Sequence, residues 1–245
     1  MELLLAGGTG LVGRSIIELA KDRLISITTV GRRITGEVEN ELVVDFADLP
    51  ILPSADTAIC TLGTTMRDAG SNSAFKAVDF DAVMAFARAA KQSGVRHFLV
   101  VTAVGADTGS RAFYSRIKGA VEIELTTIGF DRLDILRPGL LLGQRQSRRF
   151  VEQVLQDLSP AIALITRGPW ARYASISAEQ LAGALLALCH EKSPGVFYHQ
   201  SPELQSLGAE TQHGDPTQTH KRTRHAVSYP QHLPLCVERS SDKHR

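Results

Sequence analysis

The sequence has little with which to staple itself together. Its three cysteines, Cys60, Cys189 and Cys236, lie far apart with no metal-type spacing, which argues against a disulfide framework and for a reducing cytosol. No apolar run approaches the roughly 18 residues of a membrane-spanning helix, and no basic region precedes a long apolar segment at the N-terminus, so neither a transmembrane helix nor a signal peptide is expected. An excess of one charge is also missing: 27 Lys and Arg stand against 26 Asp and Glu, a net +1. That balance speaks against nucleic acid or a membrane as the main partner and leaves only local anion sites open. The expected address is the cytoplasm, as a monomer or homodimer. What is present is ordinary globular composition, 43% hydrophobic over 245 residues, enough for a sizeable core.

The stretch Gly7-Gly8-Thr9-Gly10-Leu11-Val12-Gly13 follows the apolar run Leu3–Ala6 and precedes Ile16, Ile17, Leu19 and Ala20 at helical spacing. A buried strand, a glycine turn and a helix whose first N–H groups point back at the turn make a pyrophosphate cradle; a glycine cluster without those neighbours would be only a flexible turn. Strand-like runs follow at Ile25–Val30, Leu42–Asp45, Ala58–Leu62, Phe98–Val101 and Leu133–Leu136, alternating with helical patterns at Ser73–Ser93 and Ser110–Ile128. This rhythm predicts an α/β fold, a Rossmann-type doubly wound parallel sheet with helices on both faces and a small C-terminal substrate-facing region. Ser177, with Gln180 three residues on, predicts a capped helix burying Leu181, Ala184, Leu185 and Leu188. Val196–His199 reads as a last strand, followed by a short helical piece from Pro202 to Leu207. The domain is accordingly placed at residues 1–207. From Gly208 the composition turns polar and aperiodic; its five histidines lack paired metal spacing and suit a solvated, disordered tail better than a metal site.

Three constellations carry chemistry. Arg32 and Arg33 end the second strand where an NAD-binding fold would place an acid on the ribose 2′-hydroxyl; guanidinium groups there favour NADP(H) over NAD(H) through the 2′-phosphate, with a solvated basic loop as the plain alternative. Asp45 and Phe46 are placed to meet the adenine edge and face, and Leu62, Gly63 and Thr64 to bring backbone near the cofactor's middle. Tyr114 and Lys118, at i and i+4 on a helix, share a face, and a neighbouring ammonium would lower the phenol pKa toward a usable acid or base. Thr102, ending the fifth strand, would offer a hydroxyl to a substrate carbonyl. Arg137, Arg145, Arg148 and Arg149 are either solvated surface or a substrate-anion contact; Trp170 and Tyr173 either line a pocket or pack.

The ordered set GGTGLVG, GRR, CTLGTT with RDAGS, FLVVTAVGAD, FYSRIKG and ILRPGLLLG over residues 2–207 resembles the atypical short-chain dehydrogenase/reductases, in the branch of the Tat-interacting-protein-like oxidoreductases. The resemblance implies that Tyr114 is the general acid, that Lys118 binds the nicotinamide ribose and tunes the tyrosine, and that Thr102 stands at or beside the helping serine, with Ala103 where relatives often carry another. It implies an NADPH-dependent oxidoreductase acting on a small carbonyl or activated double bond. The alternative is a regulator that senses NADP(H) without turnover.

Overall fold

Leu3, Leu4 and Leu5 leave β1 (Glu2–Ala6) no polar face, so it is stable only between two covering layers. In the computed structural model, which describes residues 1–21, 23–142 and 174–213, residues 3–6 of β1 are fully buried at the centre of a parallel sheet. The strands are β2 (Ser26–Gly31), β3 (Asn40–Val43), β4 (Thr57–Cys60), β5 (His97–Val101), β6 (Arg132–Arg137), the short pair β7 (Leu141–Leu142) and β8 (Ile176–Ser177), and β9 (Gly195–Gln200). The main sheet runs β3-β2-β1-β4-β5-β6-β9, parallel throughout. The strand order reverses between β1 and β4, and the crevice beyond their carboxyl ends is the ligand position of open α/β sheets.

Helices α1 (Leu11–Ala20), α2 (Met66–Ala69), α3 (Asn72–Lys76), α4 (Val83–Gln92), α5 (Phe113–Thr127), α6 (Ala178–Leu188) and α7 (Ser201–His213) complete the described residues. One face of the sheet packs Leu3, Leu5, Ile59 and Leu99 against α1 and α6; the other packs Leu4, Ala58, Phe98 and Ile135 against α4 and α5. Ser177 and Gln180 form the expected capping box, and Leu181, Ala184, Leu185 and Leu188 are buried.

Three boundaries differ from expectation. The stretch 73–93 is not one helix: a π-helical turn, Ala77–Ala82, separates α3 from α4 and buries Asp79. The third strand ends at Val43, because Asp45 leaves the ladder to accept the Ala47 N–H on its Oδ1 at 3.0 Å. The last helix passes through Gly208 to His213, since α7 crosses α6 so closely that a Cβ at Gly208 would collide with the Gln180 carbonyl oxygen. Residue 208 therefore belongs to the packed domain. The remaining residues of the supposed tail, with Cys236, Arg145, Arg148, Arg149, Trp170 and Tyr173, lie outside the described residues.

A polar cluster is buried on the α6 side of the sheet. Asp134, fully buried in β6, accepts from Arg132 Nε at 2.6 Å and from Arg132 Nη2 at 2.8 Å, and faces His97 Nε2 at 2.6 Å and His199 Nε2 at 2.7 Å. Glu203, on α7, meets His199 Nδ1 at 2.9 Å. The cluster thus fastens β9 and α7 to the sheet.

Candidate active site

The glycine turn is built for close approach. Gly7 has φ +89, a conformation that disfavours any other residue, and its carbonyl oxygen accepts the Gly10 N–H at 2.9 Å. At Gly13 a Cβ would collide with that same carbonyl oxygen, so only glycine lets α1 start against the turn. Gly10 is the N-cap of α1 with no side-chain cap, and the first turn carries no acid. The first-turn N–H groups and the positive end of the helix dipole, flanked by Thr9 and by the backbone of Leu11 and Val12, are left to an anion. These residues fit a dinucleotide pyrophosphate.

Arg32 and Arg33, both exposed, follow directly on β2. No ion pair is formed by either among the described residues. Asp45 is exposed nearby, but the Phe46 ring is buried with Val30, Leu42, Leu49 and Leu52. Phe46 therefore offers only backbone to an adenine, and its ring is a core residue rather than a stacking face.

Tyr114 and Lys118 sit one turn apart on α5, as the spacing requires. The phenol ring packs at 5.5 Å on Phe75 and stays 36% exposed, whereas Lys118 is 5% exposed. Lys118 Nζ lies 2.7 Å from Asp79 Oδ1, and Asp79 Oδ2 accepts the Thr64 N–H at 2.8 Å. A Cβ on Gly63 would stand 3.4 Å from that carboxylate and 3.8 Å from Lys118 Nζ. The loop carrying Leu62, Gly63 and Thr64 is thereby fixed beside the catalytic candidate pair.

Asp79 changes the electrostatics. Burial pushes the Tyr114 phenol up; Lys118 pulls it down, Asp79 pushes it up again, and the result lies above the ordinary value of 10. The expected lowering by Lys118 is not realised, because burial of the phenol outweighs it, with the Asp79 carboxylate adding a smaller push upward. The phenol is a proton donor at neutral pH. Spacing did not single out Asp79, but its signal was present: counted from Phe75 at i, i+4, it falls on the apolar face of the helical pattern, where a carboxylate needs a partner.

Thr102 does not join Tyr114 and Lys118 as expected. Its buried hydroxyl donates to Glu122 Oε1 at 2.6 Å, and Glu122 in turn accepts from Arg137 Nε at 3.0 and 3.1 Å. The single hydroxyl proton is committed to a carboxylate and is not offered to a carbonyl. Ala103 has no hydroxyl to replace it. Arg137 stacks over the Tyr198 ring at 4.7 Å.

Comparison with known proteins bears on the fold and the family. The HIM1 family model matches residues 22–165. Protein HTATIP2 of Rattus norvegicus is 38% identical over 155 residues, 58% of this chain; the match spans 64% of the rat protein, less than two thirds of its length. The protein named FMP52, mitochondrial, of Coccidioides immitis is 32% identical over 187 residues, covering 68% of this chain and 76% of that protein. Among solved structures, MoeE5 in complex with UDP-glucose and NAD shares the fold with a TM-score of 0.63 at 14% identity, covering 86% of this chain and 81% of that one. The human epimerase family protein SDR39U1 with NADPH does so with a TM-score of 0.59 at 20% identity, covering 86% and 80%. The cytoplasmic expectation is overturned by the relatives named as mitochondrial. Widely spaced cysteines and the want of a signal-peptide or membrane-spanning pattern point to the cytosol, but a reducing milieu is not confined to it. The fold is the nicotinamide-dinucleotide-binding fold of the short-chain dehydrogenase/reductases, and the chain belongs to the HIM1 family as an atypical member of that superfamily, in its Tat-interacting-protein-like branch.

Proposed function

We propose that the protein is an NADPH-dependent oxidoreductase that reduces a small carbonyl compound or activated double bond, with Tyr114 as general acid. The observation that carries this reading is the half-exposed, protonated phenol of Tyr114 one turn from an anchored Lys118, at the carboxyl-end crevice of the sheet. A nicotinamide dinucleotide, its pyrophosphate held by the glycine turn, would supply the hydride in such chemistry. Tyr114 Oη gives its proton to the oxygen or carbon of the substrate that becomes basic, and solvent at the exposed edge of the ring refills it. Lys118 holds its ammonium beside the Gly63 backbone, where a ribose hydroxyl would find a donor. The 2′-phosphate is the natural partner of Arg32 and Arg33, which supports NADP(H) over NAD(H).

A second reading, an NADP(H) sensor without turnover, draws on one observation: Thr102 is bonded to Glu122 and Ala103 lacks a hydroxyl, so Tyr114 works without a second donor. Consumption of NADPH across a panel of aldehydes, ketones and enones separates the two. Turnover should appear with at least one class and fall about a hundredfold or more in Tyr114→Phe, with NADPH affinity unchanged. Equal turnover in the variant would refute the role of the tyrosine; tight NADPH binding with no turnover on any substrate would establish the sensor.

A further inference from the structure

The segment between β2 and β3 carries Arg32 and Arg33, and one side chain sets its shape. Glu41, partly buried on β3 and in register with Thr29 of β2, turns its carboxylate back on the loop. Its Oε1 accepts the Thr35 hydroxyl and the Gly36 N–H, each at 2.8 Å, and its Oε2 accepts the Thr35 N–H. Successive N–H groups beside a glycine at φ +73 form a concave backbone nest of the kind that takes up anions. Here the protein's own carboxylate fills it. Burial would raise that carboxyl, but the donors of Thr35, Gly36 and Val38 outweigh it and hold it below its ordinary 4.5, so it is charged at neutral pH.

The clamped loop is also seated on the glycine turn. A Cβ at Gly8 would stand 3.0 Å from Thr35 Cγ2 and 3.1 Å from Thr29 Cγ2, so the Thr35 methyl lies directly against the cradle. Farther along, Glu37 faces Lys21 Nζ, just past α1, at 3.7 Å, and Val38 packs against the core. Arg32 and Arg33, both exposed, thus stand on a short span held at both ends, by the β2 ladder before them and by Thr35 two residues after. A free loop would have to be ordered when it binds a ligand, which costs affinity; this one is ordered beforehand.

We propose that Glu41 is the positioning residue of the cofactor's adenosine end: it fastens the 32–36 loop to the glycine turn and so presents Arg32 and Arg33, already ordered, to the ribose 2′-phosphate of NADP(H). The inference rests on the NADP(H) reading above and adds the residue on which that preference depends. A ribose 2′-hydroxyl is matched by a carboxylate acceptor. The Glu41 carboxylate already has its donors within the loop, whereas two exposed guanidinium groups suit a phosphate. Glu41 acts through the arginines rather than on the cofactor itself.

The test is the ratio of NADPH to NADH affinity, measured by isothermal titration calorimetry on the full chain, with tryptic cleavage after Arg32 and Arg33 as a readout that needs no cofactor. Glu41→Ala should weaken NADPH about tenfold and NADH less than about twofold, and should speed cleavage in the loop by about tenfold. Glu41→Gln, which keeps an oxygen for the Gly36 N–H and the Thr35 hydroxyl, should fall between wild type and Glu41→Ala and decides the matter if the alanine variant does not fold. With Arg32→Ala and Arg33→Ala already in place, Glu41→Ala should weaken NADPH no further, since the groups it acts through are gone. Equal losses for NADPH and NADH, an unchanged ratio where the wild type prefers NADPH, full additivity with the arginine substitutions, or cleavage no faster than in the wild type overturns the proposal. A wild type that binds NADPH and NADH alike refutes the NADP(H) reading itself, before any variant is made; faster cleavage in Glu41→Ala would then keep the clamp and strike its part in cofactor choice.

Discussion

Replacing Asp134 with alanine should cost the protein a large part of its stability, and the size follows from what surrounds the carboxylate. Arg132, His97 and His199 all converge on it in a fully buried position, and Arg132 also donates to the Ser193 carbonyl oxygen at 2.9 Å and stacks on Phe197 at 4.1 Å. Burial would raise the Asp134 carboxyl, but His199, His97 and Arg132 outweigh it and hold it well below the usual carboxylate range. Burial would likewise lower His199, yet its bonds to Asp134 and Glu203 bring it up to about 9 from 6.5. At about 1.4 kcal/mol per unit, that rise contributes on the order of 3 kcal/mol to folding. A raised pKa stabilises the fold while the unfolded histidine is also protonated; the contribution is complete below 6.5 and disappears as pH climbs through about 9. Asp134, lowered, acts oppositely: its contribution is present above its ordinary 3.8 and is lost on acidification.

Asp134→Ala leaves two buried cations without their shared anion, a loss of about 3–5 kcal/mol. For a domain of this size that is a melting-temperature drop of roughly 10 °C. Urea unfolding followed by far-ultraviolet circular dichroism, at about pH 6 and about pH 9.5, measures both terms. The wild type should weaken between the two conditions by on the order of 3 kcal/mol, and the variant by less than half of that. A loss of under about 1 kcal/mol in the variant, with the wild-type pH slope intact, would refute the cluster as a fastening of β9 and α7.

Two predictions concern the cofactor. In Gly13→Ala the added methyl meets the Gly7 carbonyl oxygen and the Gly8 Cα, both backbone; the turn must open, costing about 1–3 kcal/mol, and NADPH affinity by isothermal titration calorimetry should fall tenfold or more, so an unchanged affinity would contradict the cradle. Arg32→Ala and Arg33→Ala should each weaken NADPH by roughly tenfold and leave NADH unaltered, and an unmoved NADPH to NADH ratio would dismiss both arginines as solvated surface.

Repeating patterns were legible in the sequence and single buried charges were not. The order of strands, the glycine turn, the capping box at Ser177 and the Tyr114–Lys118 pair rest on periodicity or fixed offsets, which the chain displays whatever its partners do. Phe46 was misread because an aromatic at a strand end suits a stacking face or a core equally, and its burial with Val30 and Leu52 is a tertiary fact. Gly208 was read as the start of a tail on composition, although it is the close approach of two helices that demands glycine there. Asp134 did carry a signal, a carboxylate in the middle of the apolar strand Leu133–Leu136 with Arg132 two residues before it on the same face, but His97 and His199 come from two other strands and no local offset links them to it.

The candidate catalytic constellation shows the same division. Tyr114 and Lys118 are neighbours in sequence, while each supposed helper is claimed by a carboxylate from elsewhere: Glu122 takes the Thr102 hydroxyl, and Asp79 takes the Lys118 ammonium. Both carboxylates are nearly buried, so neither charge is screened by water. With the Thr102 hydroxyl committed and the Lys118 ammonium paired, Tyr114 keeps its proton chiefly because burial raises the phenol, a rise that Lys118 offsets only in part. Tyrosinate is therefore disfavoured at neutral pH although the Tyr-x-x-x-Lys pair is present, while the partners that hold its supposed helpers, Asp79 and Glu122, are residues that this spacing does not include.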